Sequence, residues 1–340
     1  GAGYVCRAGA VGWVVSGLMV LALNPANIAS HILTVLNAIG CYYGGKLAHF
    51  GRDVHFLVRS DAATVRKSGL RIRGKTENIH VAKVNVHQTT AEIGPCDLVI
   101  VAVKTTSNPD LPALLPPLLH ERTMLLTLQN GLGNEEFLAQ RFGAERVLGG
   151  LCFICLSRIA PGVVERHDYG HVVIGEFDRF PQPRTHEISW EFKRCGVVST
   201  VVENLALERW RKLVWNIPFN GLSLVAGGLD TAAILADDDL RLTTLALMDE
   251  VIAAANKCGV PLRTADALDQ MKRTETMGAY KPSTLIDFEN GKPLELEAIW
   301  GEPLRRASAA GAQMPRLEEL YVSLRALDGR NRPGRKVSSP

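Results

Sequence analysis

The amino-acid sequence predicts an α/β protein in which a doubly wound parallel sheet is followed by an all-helical C-terminal domain. Its 340 residues exceed what one compact core usually holds and suit two domains. Before residue 204, short apolar runs alternate with helical stretches, an order typical of parallel strands joined by right-handed crossovers. After residue 203, long amphipathic stretches follow one another without a strand. We therefore predict a sheet domain over residues 1–203, a helical domain over 204–328 and a disordered tail over 329–340.

The apolar pattern also predicts the individual elements in order. Residues 41–50 form a helix that Gly51 ends. Residues 98–103 are apolar throughout, as expected of a parallel strand covered on both faces, whereas residues 80–86 alternate apolar and polar side chains. Strands are predicted at 54–59, 80–86, 98–103, 124–128, 147–155, 163–166, 172–175 and 197–202. Helices of the second domain are predicted at 204–226, 235–258, 260–277, 283–290, 294–311 and 316–327.

Charge and cysteine content exclude several classes of protein. The formal net charge is only +3, with no run of like charges that would bind nucleic acid. Seven scattered cysteines favour reduced thiols in a cytoplasmic protein. Cys152 and Cys155 have CxxC spacing, but no second pair completes a metal site, so we expect no metal. The apolar run at 11–23 is too short to span a membrane, and a secretory signal is the minority alternative.

Two incomplete glycine motifs stand near the start of the chain. A strand, the pattern G-x-G-x-x-G and a helix together bind a dinucleotide in Rossmann-like sheets. Residues 35–40 keep only the third glycine, Gly40, and have Asn37 at the second position, while residues 7–12 keep Gly9 and Gly12. Removing residues 13–40 would join the earlier motif directly to the helix that follows. We therefore consider that residues 13–40 are an insertion or a wrongly assigned segment, which sequencing of the mature transcript would test.

Seven segments between residues 40 and 327 together resemble one enzyme family. They are 40–48 (GCYYGGKLA), 56–59 (FLVR), 103–104 (VK), 129–131 (QNG), 210–216 (WRKLVWN) with Asn220, 282–287 (PSTLID) and 293–301 (PLELEAIWG). In this combination the chain resembles the ketopantoate reductase (2-dehydropantoate 2-reductase) family. The resemblance implies a Rossmann-like domain, a helical domain and NADPH-dependent reduction of ketopantoate to pantoate, or of a related small 2-keto acid.

Four polar residues recur every fourth position in the first predicted helix of the second domain. Glu208, Lys212, Asn216 and Asn220 therefore share one helix face. Spacing alone favours a solvated stripe with an i,i+4 pair between Glu208 and Lys212. The resemblance instead implies that Lys212 is the proton donor and that Asn216 and Asn220 bind the substrate. Pro218 is expected to kink this helix and to shift Asn220.

Further site residues follow from the same resemblance. Glu295 stands where a helix dipole would favour a carboxylate, but the resemblance makes it a catalytic residue of the cleft, paired with Lys212. Ser283 would be an N-cap by default, and the resemblance makes it a substrate contact supported by Asp287. Asp230 stands at a substrate-binding position where the family commonly has Asn, and this departure leaves the choice of substrate open.

The remaining predictions concern the cofactor. Arg59 ends the second predicted strand, where NAD-specific enzymes carry an acidic residue, and its guanidinium suits the 2′-phosphate of NADPH. Lys104 and Asn130 each follow a parallel strand at its carboxyl end, where such sheets bind ligands, and the resemblance makes both cofactor contacts. A reductase of another 2-keto acid and a non-catalytic pseudo-enzyme with a degraded glycine loop remain alternatives. The oligomeric state, a homodimer included, is left open.

Overall fold

The computed structural model describes residues 14–15, 18–19, 31–35, 37–58 and 61–331. Gly9, Gly12 and Arg59, three of the predicted cofactor contacts, lie outside the described residues, as does most of the predicted tail. The last helix continues to Asn331, so the prediction that the tail begins at residue 329 is wrong. No helix within the described ranges is long and apolar enough to cross a membrane.

The first domain combines strands and helices, as predicted, but its strands at residues 31–35 and 70–74 were not predicted. Its strands are β1 Val14–Val15, β2 Leu18–Met19, β3 His31–Val35, β4 Asp53–Leu57, β5 Leu70–Gly74, β6 Asn78–Val81, β7 Asn85–His87, β8 Leu98–Val101, β9 Met124–Thr127, β10 Val147–Ala160, β11 Val163–Glu176 and β12 Ser199–Val201. Its helices are α1 Ala38–His49, α2 Ala62–Ser68, α3 Leu111–Leu114, α4 Asn134–Phe142 and α5 Pro183–Arg194.

Six parallel strands form the centre of the main sheet in the order β7-β4-β3-β8-β9-β10. If these six strands alone are numbered along the chain, their order in space is 3-2-1-4-5-6, which is the order of dinucleotide-binding sheets. In such sheets the direction of winding reverses between the strands numbered 1 and 4. Here the reversal lies between β3 and β8. The loops that leave the carboxyl ends of these two strands therefore border the crevice in which such sheets bind ligands.

Both faces of the sheet are buried, as the apolar runs predict. In β8, Leu98 and Ile100 pack on the face covered by α1 and α5, while Val99 and Val101 pack with leucines of α3 and α4 on the other face. All four side chains are at most 3% exposed. The doubly wound Rossmann-like sheet is thus confirmed, and it fixes the ends of the strands from which the site is built.

Residues 31–35 form a strand within this sheet, and residues 38–40 begin the helix that packs on it. β3 pairs in parallel with both β4 and β8, and α1 begins immediately after it. A Cβ at Gly40 would lie 1.8 Å from the carbonyl oxygen of Val35, so only glycine allows the helix to approach the strand this closely. The predicted insertion over 13–40 is therefore wrong for residues 31–35 and 37–40, which form this strand and the start of α1. Of residues 13–30, the structure describes only β1 and β2, which pair with each other.

Three strand predictions differ from the structure. The predicted strand 80–86 is wrong, because β6 and β7 are separate strands at opposite edges of the sheet, joined by a turn with mostly exposed side chains. The predicted strands 163–166 and 172–175 are one strand, β11, which stays paired with β10 through irregular register steps. The alternation of apolar and polar residues in a strand does not show which neighbouring strand it pairs with. For this reason the sequence could not show that residues 80–86 belong to two different edges of the sheet.

The second domain is helical, as predicted. Its helices are α6 Leu205–Val225, α7 Thr231–Ala236, α8 Asp238–Lys257, α9 Thr264–Glu275, α10 Ser283–Glu289, a π-helical turn Glu297–Gly301, α11 Glu302–Ala309 and α12 Pro315–Asn331. α6 is the central helix and packs against α8, α9, α10 and α12. It continues through Pro218, so the expected kink does not interrupt it. At that turn the Trp300 indole N–H donates to the Ile217 carbonyl oxygen over 3.1 Å.

Candidate active site

The Lys212 ammonium lies where α6 meets the carboxyl edge of the sheet. Its Nζ donates to Asn130 Oδ1 over 2.9 Å and to the Cys152 carbonyl oxygen over 2.7 Å. Asn130 follows β9, and Cys152 lies within β10, so both partners belong to the first domain. Burial lowers the pKa of Lys212 from 10.5 to about 8. A lysine with this pKa is still largely protonated at neutral pH, yet it releases its proton more readily than an exposed lysine does.

The same face of α6 carries two buried amides beyond Lys212. Asn216 is 6% exposed and Asn220 is 3% exposed. Asn220 Oδ1 has no hydrogen-bond partner within the described part of the chain, which is costly for a buried acceptor. Glu208 binds Arg211 rather than Lys212. The prediction of a solvated stripe with a Glu208–Lys212 pair is therefore wrong, because this face is covered by the rest of the protein.

Glu295 holds the first domain to the second, but through a different lysine from the one predicted. Its Oε2 accepts from Lys104 Nζ over 3.1 Å, and its Oε1 accepts from the backbone N–H of Thr105 over 2.9 Å. Asp287 binds the same Lys104 ammonium. The expected direct pairing of Glu295 with Lys212 is wrong, although the Glu295 charge still opposes the lowering of the Lys212 pKa. Burial disfavours the charge of Lys104, but the carboxylates of Glu295 and Asp287 outweigh this and raise its pKa.

The structure gives local roles to two further predicted residues. Asp230 is the N-cap of α7, where its Oδ1 accepts from the backbone N–H of Ala233 over 2.9 Å. Ser283 is exposed and is the first residue of α10, and Pro282, not Ser283, occupies the N-cap position. The default N-cap reading of Ser283 is therefore wrong, whereas contacts of Asp230 and Ser283 with a substrate stay predictions.

A buried ion pair beside Lys212 escaped the sequence analysis. Arg209 and Glu135 are each 4% exposed and bind each other through two guanidinium nitrogens. Arg209 also donates to the Gln129 carbonyl oxygen over 2.7 Å. Arg209 is one helical turn before Lys212, and Gln129 precedes Asn130, so the pair fixes both elements that hold the lysine. The only signal in the sequence was that Glu135 lies shortly after the motif at 129–131 and Arg209 directly before the motif at 210–216.

A glycine lets the backbones of the two domains approach each other closely. Gly131 has φ +83, and a Cβ there would lie 2.2 Å from the carbonyl oxygen of Ala298 in the π-helical turn. The backbone N–H of Leu132 donates to that same oxygen over 2.9 Å. A left-handed backbone with no space for a side chain requires glycine here. The loop that carries Asn130 is thus fixed against the second domain.

The residues at the winding reversal fit a dinucleotide, although the Asn37 side chain occupies one backbone N–H of the site. Helix α1 directs its first N–H groups into the crevice between β3 and β8, the usual place of a pyrophosphate. Asn37 caps this helix, because its Oδ1 accepts from the Gly40 N–H over 2.7 Å and its Nδ2 donates to the Ala102 carbonyl oxygen. One of the first-turn donors is therefore already used. Lys104 and Asn130 lie at the same edge of the sheet, after β8 and β9.

Comparison with known proteins gives the family of this chain. Residues 36–179 match the family model described as "Ketopantoate reductase PanE/ApbA", and residues 204–328 match "Ketopantoate reductase PanE/ApbA C terminal". A 2-dehydropantoate 2-reductase of Nostoc is 40% identical over 302 residues, which are 87% of this chain and 94% of the relative.

Solved structures agree with the sequence comparison. A 2-dehydropantoate 2-reductase from Geobacter metallireducens is 41% identical with a TM-score of 0.85, over 87% of this chain and 99% of that one. The enzyme of the same name from Methylococcus capsulatus is 31% identical with a TM-score of 0.83, over 91% and 100% of the chains. The family implies a nicotinamide cofactor, an alcohol–ketone oxidoreduction and a place in pantothenate biosynthesis. The chain belongs to the ketopantoate reductase family of oxidoreductases.

Proposed function

We propose that this chain reduces 2-dehydropantoate to pantoate with NADPH and that Lys212 donates the proton. The observation that carries the proposal is the Lys212 ammonium itself, with a pKa of about 8, held by Asn130 and Cys152 at the ligand-binding edge of the sheet. The relatives named 2-dehydropantoate 2-reductase support this choice of substrate.

The chemistry assigns a simple task to the lysine. A bound reduced nicotinamide supplies the hydride that adds to the keto carbon. Negative charge then develops on the former carbonyl oxygen, and an ammonium beside it stabilises this charge and delivers the proton. The Asn130 amide and the Cys152 carbonyl each accept from Nζ, so they hold the amine in place while its third N–H is directed elsewhere.

The substrate would lie along the face of α6 beyond Lys212. Asn220 Oδ1 is a buried acceptor without a donor among the described residues, and a substrate hydroxyl would supply one. The amide N–H groups of Asn216 and Asn220 suit a carboxylate oxygen. Ser283 is exposed at the start of α10 and is proposed as a further carboxylate contact.

Glu295 is proposed to act through its partners rather than on the substrate. It is 6% exposed and binds both the Lys104 ammonium and the Thr105 N–H. Asp287 binds the same ammonium. Together the two carboxylates would hold Lys104 at the carboxyl end of β8, where a cofactor phosphate or ribose would meet a cation.

The preference for NADPH over NADH rests on Arg59 in the sequence. A guanidinium binds a 2′-phosphate in a bidentate manner, and an acidic residue there would instead bind the ribose hydroxyls of NADH. Fluorescence titration of wild type and Arg59→Ala with both cofactors tests this. A loss of affinity for NADPH alone is expected, and equal losses for both cofactors would contradict it.

The activity itself is tested with purified protein, NADPH and ketopantoate. Wild type should consume NADPH, Lys212→Ala should lose turnover by about 10²–10⁴-fold, and it should still bind NADPH. Lys272→Ala, which removes an exposed lysine of α9, is the matched control and should resemble wild type. Near-normal turnover in Lys212→Ala would contradict the assignment of the proton donor.

Two alternatives each rest on one observation and give different results in this assay. Asp230 places a carboxylate where the family commonly has Asn, which favours a reductase of another 2-keto acid, so that NADPH would bind without ketopantoate turnover. Asn37 already caps α1, which favours a non-catalytic protein that binds neither cofactor. The cytoplasmic location stays a prediction and the oligomeric state stays open, which light scattering of the purified protein measures.

A further inference from the structure

A cluster of histidines and one aspartate lies at the amino-terminal edge of the sheet. This is the edge opposite the one that carries Asn130, because β3 begins at His31 and β4 begins at Asp53. His31 and Asp53 are register partners across the two strands, and His55 lies two residues after Asp53 on the same face. Neither the proposed reaction nor the packing of the core uses these polar side chains.

The three side chains converge on one point. His31 Nδ1 lies 2.9 Å from Asp53 Oδ2, and His55 Nε2 lies 3.1 Å from Asp53 Oδ1. The potential ligand atoms of the three residues are all within 4.8 Å of one another. Atoms bound to one tetrahedral zinc ion at about 2.0–2.1 Å lie about 3.3 Å apart, so small rotations of the side chains would complete the site.

The outer nitrogen of each histidine already has a partner. His31 Nε2 lies 3.4 Å from the Ile93 carbonyl oxygen, and His55 Nδ1 lies 2.9 Å from His87 Nε2. A histidine that binds a metal usually donates its other ring N–H to such a group, which fixes the tautomer and the ring orientation. His31 is thus set to offer Nδ1, and His55 is set to offer Nε2, to the same point.

Exposure favours a metal site over a sealed hydrogen-bond network. The side chain of Asp53 is 51% exposed, that of His31 is 27% exposed and that of His55 is 14% exposed. An ion could therefore enter from solvent and keep a water molecule as a fourth ligand. His55 Nε2 is buried and lacks a hydrogen bond of acceptable geometry among the described residues, although the Asp53 carboxylate is close.

We propose that His31, Asp53 and His55 bind one zinc ion, with water as the fourth ligand and His87 orienting His55. Two imidazoles and one carboxylate are ligands that zinc prefers, and three protein ligands leave the fourth position to solvent. The ion would join the first residues of β3 and β4, far from Lys212, and its role would be to stabilise the sheet rather than to take part in the reduction. Asn85, which donates to Asp53 Oδ1 over 3.1 Å, would support the carboxylate.

Equilibrium dialysis of the untagged full chain against Zn²⁺ tests the proposal. Wild type, freed of metal with a chelator, should take up one equivalent of zinc, as measured by elemental mass spectrometry. Asp53→Asn and His55→Gln should each weaken zinc binding at least tenfold. His80→Gln removes an exposed histidine of the same sheet and should bind zinc as wild type does. Circular dichroism of each variant checks that it is folded.

Cobalt gives an independent readout of the ligands. Co²⁺ in this site should show the intense visible absorption of four- or five-coordinate cobalt, without a thiolate charge-transfer band, and the two ligand variants should lose it. No zinc uptake by wild type would overturn the proposal. Unchanged affinity in Asp53→Asn and His55→Gln, or a thiolate band that indicates cysteine ligands, would overturn it equally.

Discussion

Replacing Lys212 by Met removes a charge that the fold disfavours and keeps a side chain of similar shape. The fall of the Lys212 pKa from 10.5 to about 8 corresponds to about 3 kcal/mol against the ammonium. This is an upper limit, because part of Lys212 still faces solvent. Met also leaves Asn130 Oδ1 and the Cys152 carbonyl without their donor, which costs about 1–3 kcal/mol for each buried acceptor.

The dependence on pH separates the charge from the lost hydrogen bonds. Below pH 8 the folded and unfolded states both hold the proton, and the burial penalty acts in full. Between about pH 8 and pH 10.5 the folded state has released the proton while the unfolded state still holds it, so the penalty is relieved. The stability of wild type relative to Lys212→Met should therefore rise by about 2–3 kcal/mol between pH 7 and pH 10.

Urea denaturation at both pH values measures this difference, and Lys272→Met is the control for loss of an exposed lysine. A second readout is the pH–rate profile of wild type. Because the protonated amine is the proposed donor, kcat/KM should fall about tenfold per pH unit above pH 8. A difference in stability that does not change with pH, together with a flat rate profile, would refute the argument that the ammonium is buried and acts as the acid.

Substitutions at Asn37, Glu135 and Gly131 test other parts of the site. Asn37→Gly should tighten NADPH binding by about fivefold, because the side chain no longer occupies a backbone N–H in the first turn of α1. Asn37→Asp should weaken NADPH binding, because its negative charge repels the cofactor phosphates. Fluorescence titration measures both affinities. Glu135→Gln should lower the free energy of unfolding in urea by about 3–5 kcal/mol, because it leaves Arg209 as an unpaired buried charge. Gly131→Ala should destabilise the protein more than Gly227→Ala in thermal unfolding, because both glycines have positive φ but only Gly131 faces another backbone within 4 Å, and equal losses would contradict this.

The periodicity of the sequence predicted the two-part architecture, although it missed the strands β3 and β5. Continuous apolar runs such as residues 98–103 predicted strands covered on both faces, and β8 is such a strand. The spacing of four residues between Lys212, Asn216 and Asn220 placed them correctly on one face of α6. Both patterns depend on local geometry, which a single stretch of chain contains in full.

The pairings between distant residues could not be predicted in the same way. Glu295 was expected to contact Lys212 and instead binds Lys104, and residues 80–86 were expected to form one strand and instead contribute to two edges of the sheet. Several side chains could pair equally well by their chemistry, so the pair that forms depends on where the backbone places each group. These pairings are therefore seen only in the packed tertiary structure.

The sequence by itself therefore determined the two domains, the family motifs and the polar face of α6, because helical and strand periodicity are written into neighbouring residues. The tertiary structure decided which lysine is held by carboxylates and which is desolvated, because that depends on the charges that separate elements bring within reach. It also showed that residues 31–35 supply the strand at which the winding of the sheet reverses and that Asn37 caps α1. Finally, it brought His31, Asp53 and His55 together, since only the pairing of β3 with β4 makes residues more than twenty positions apart into neighbours.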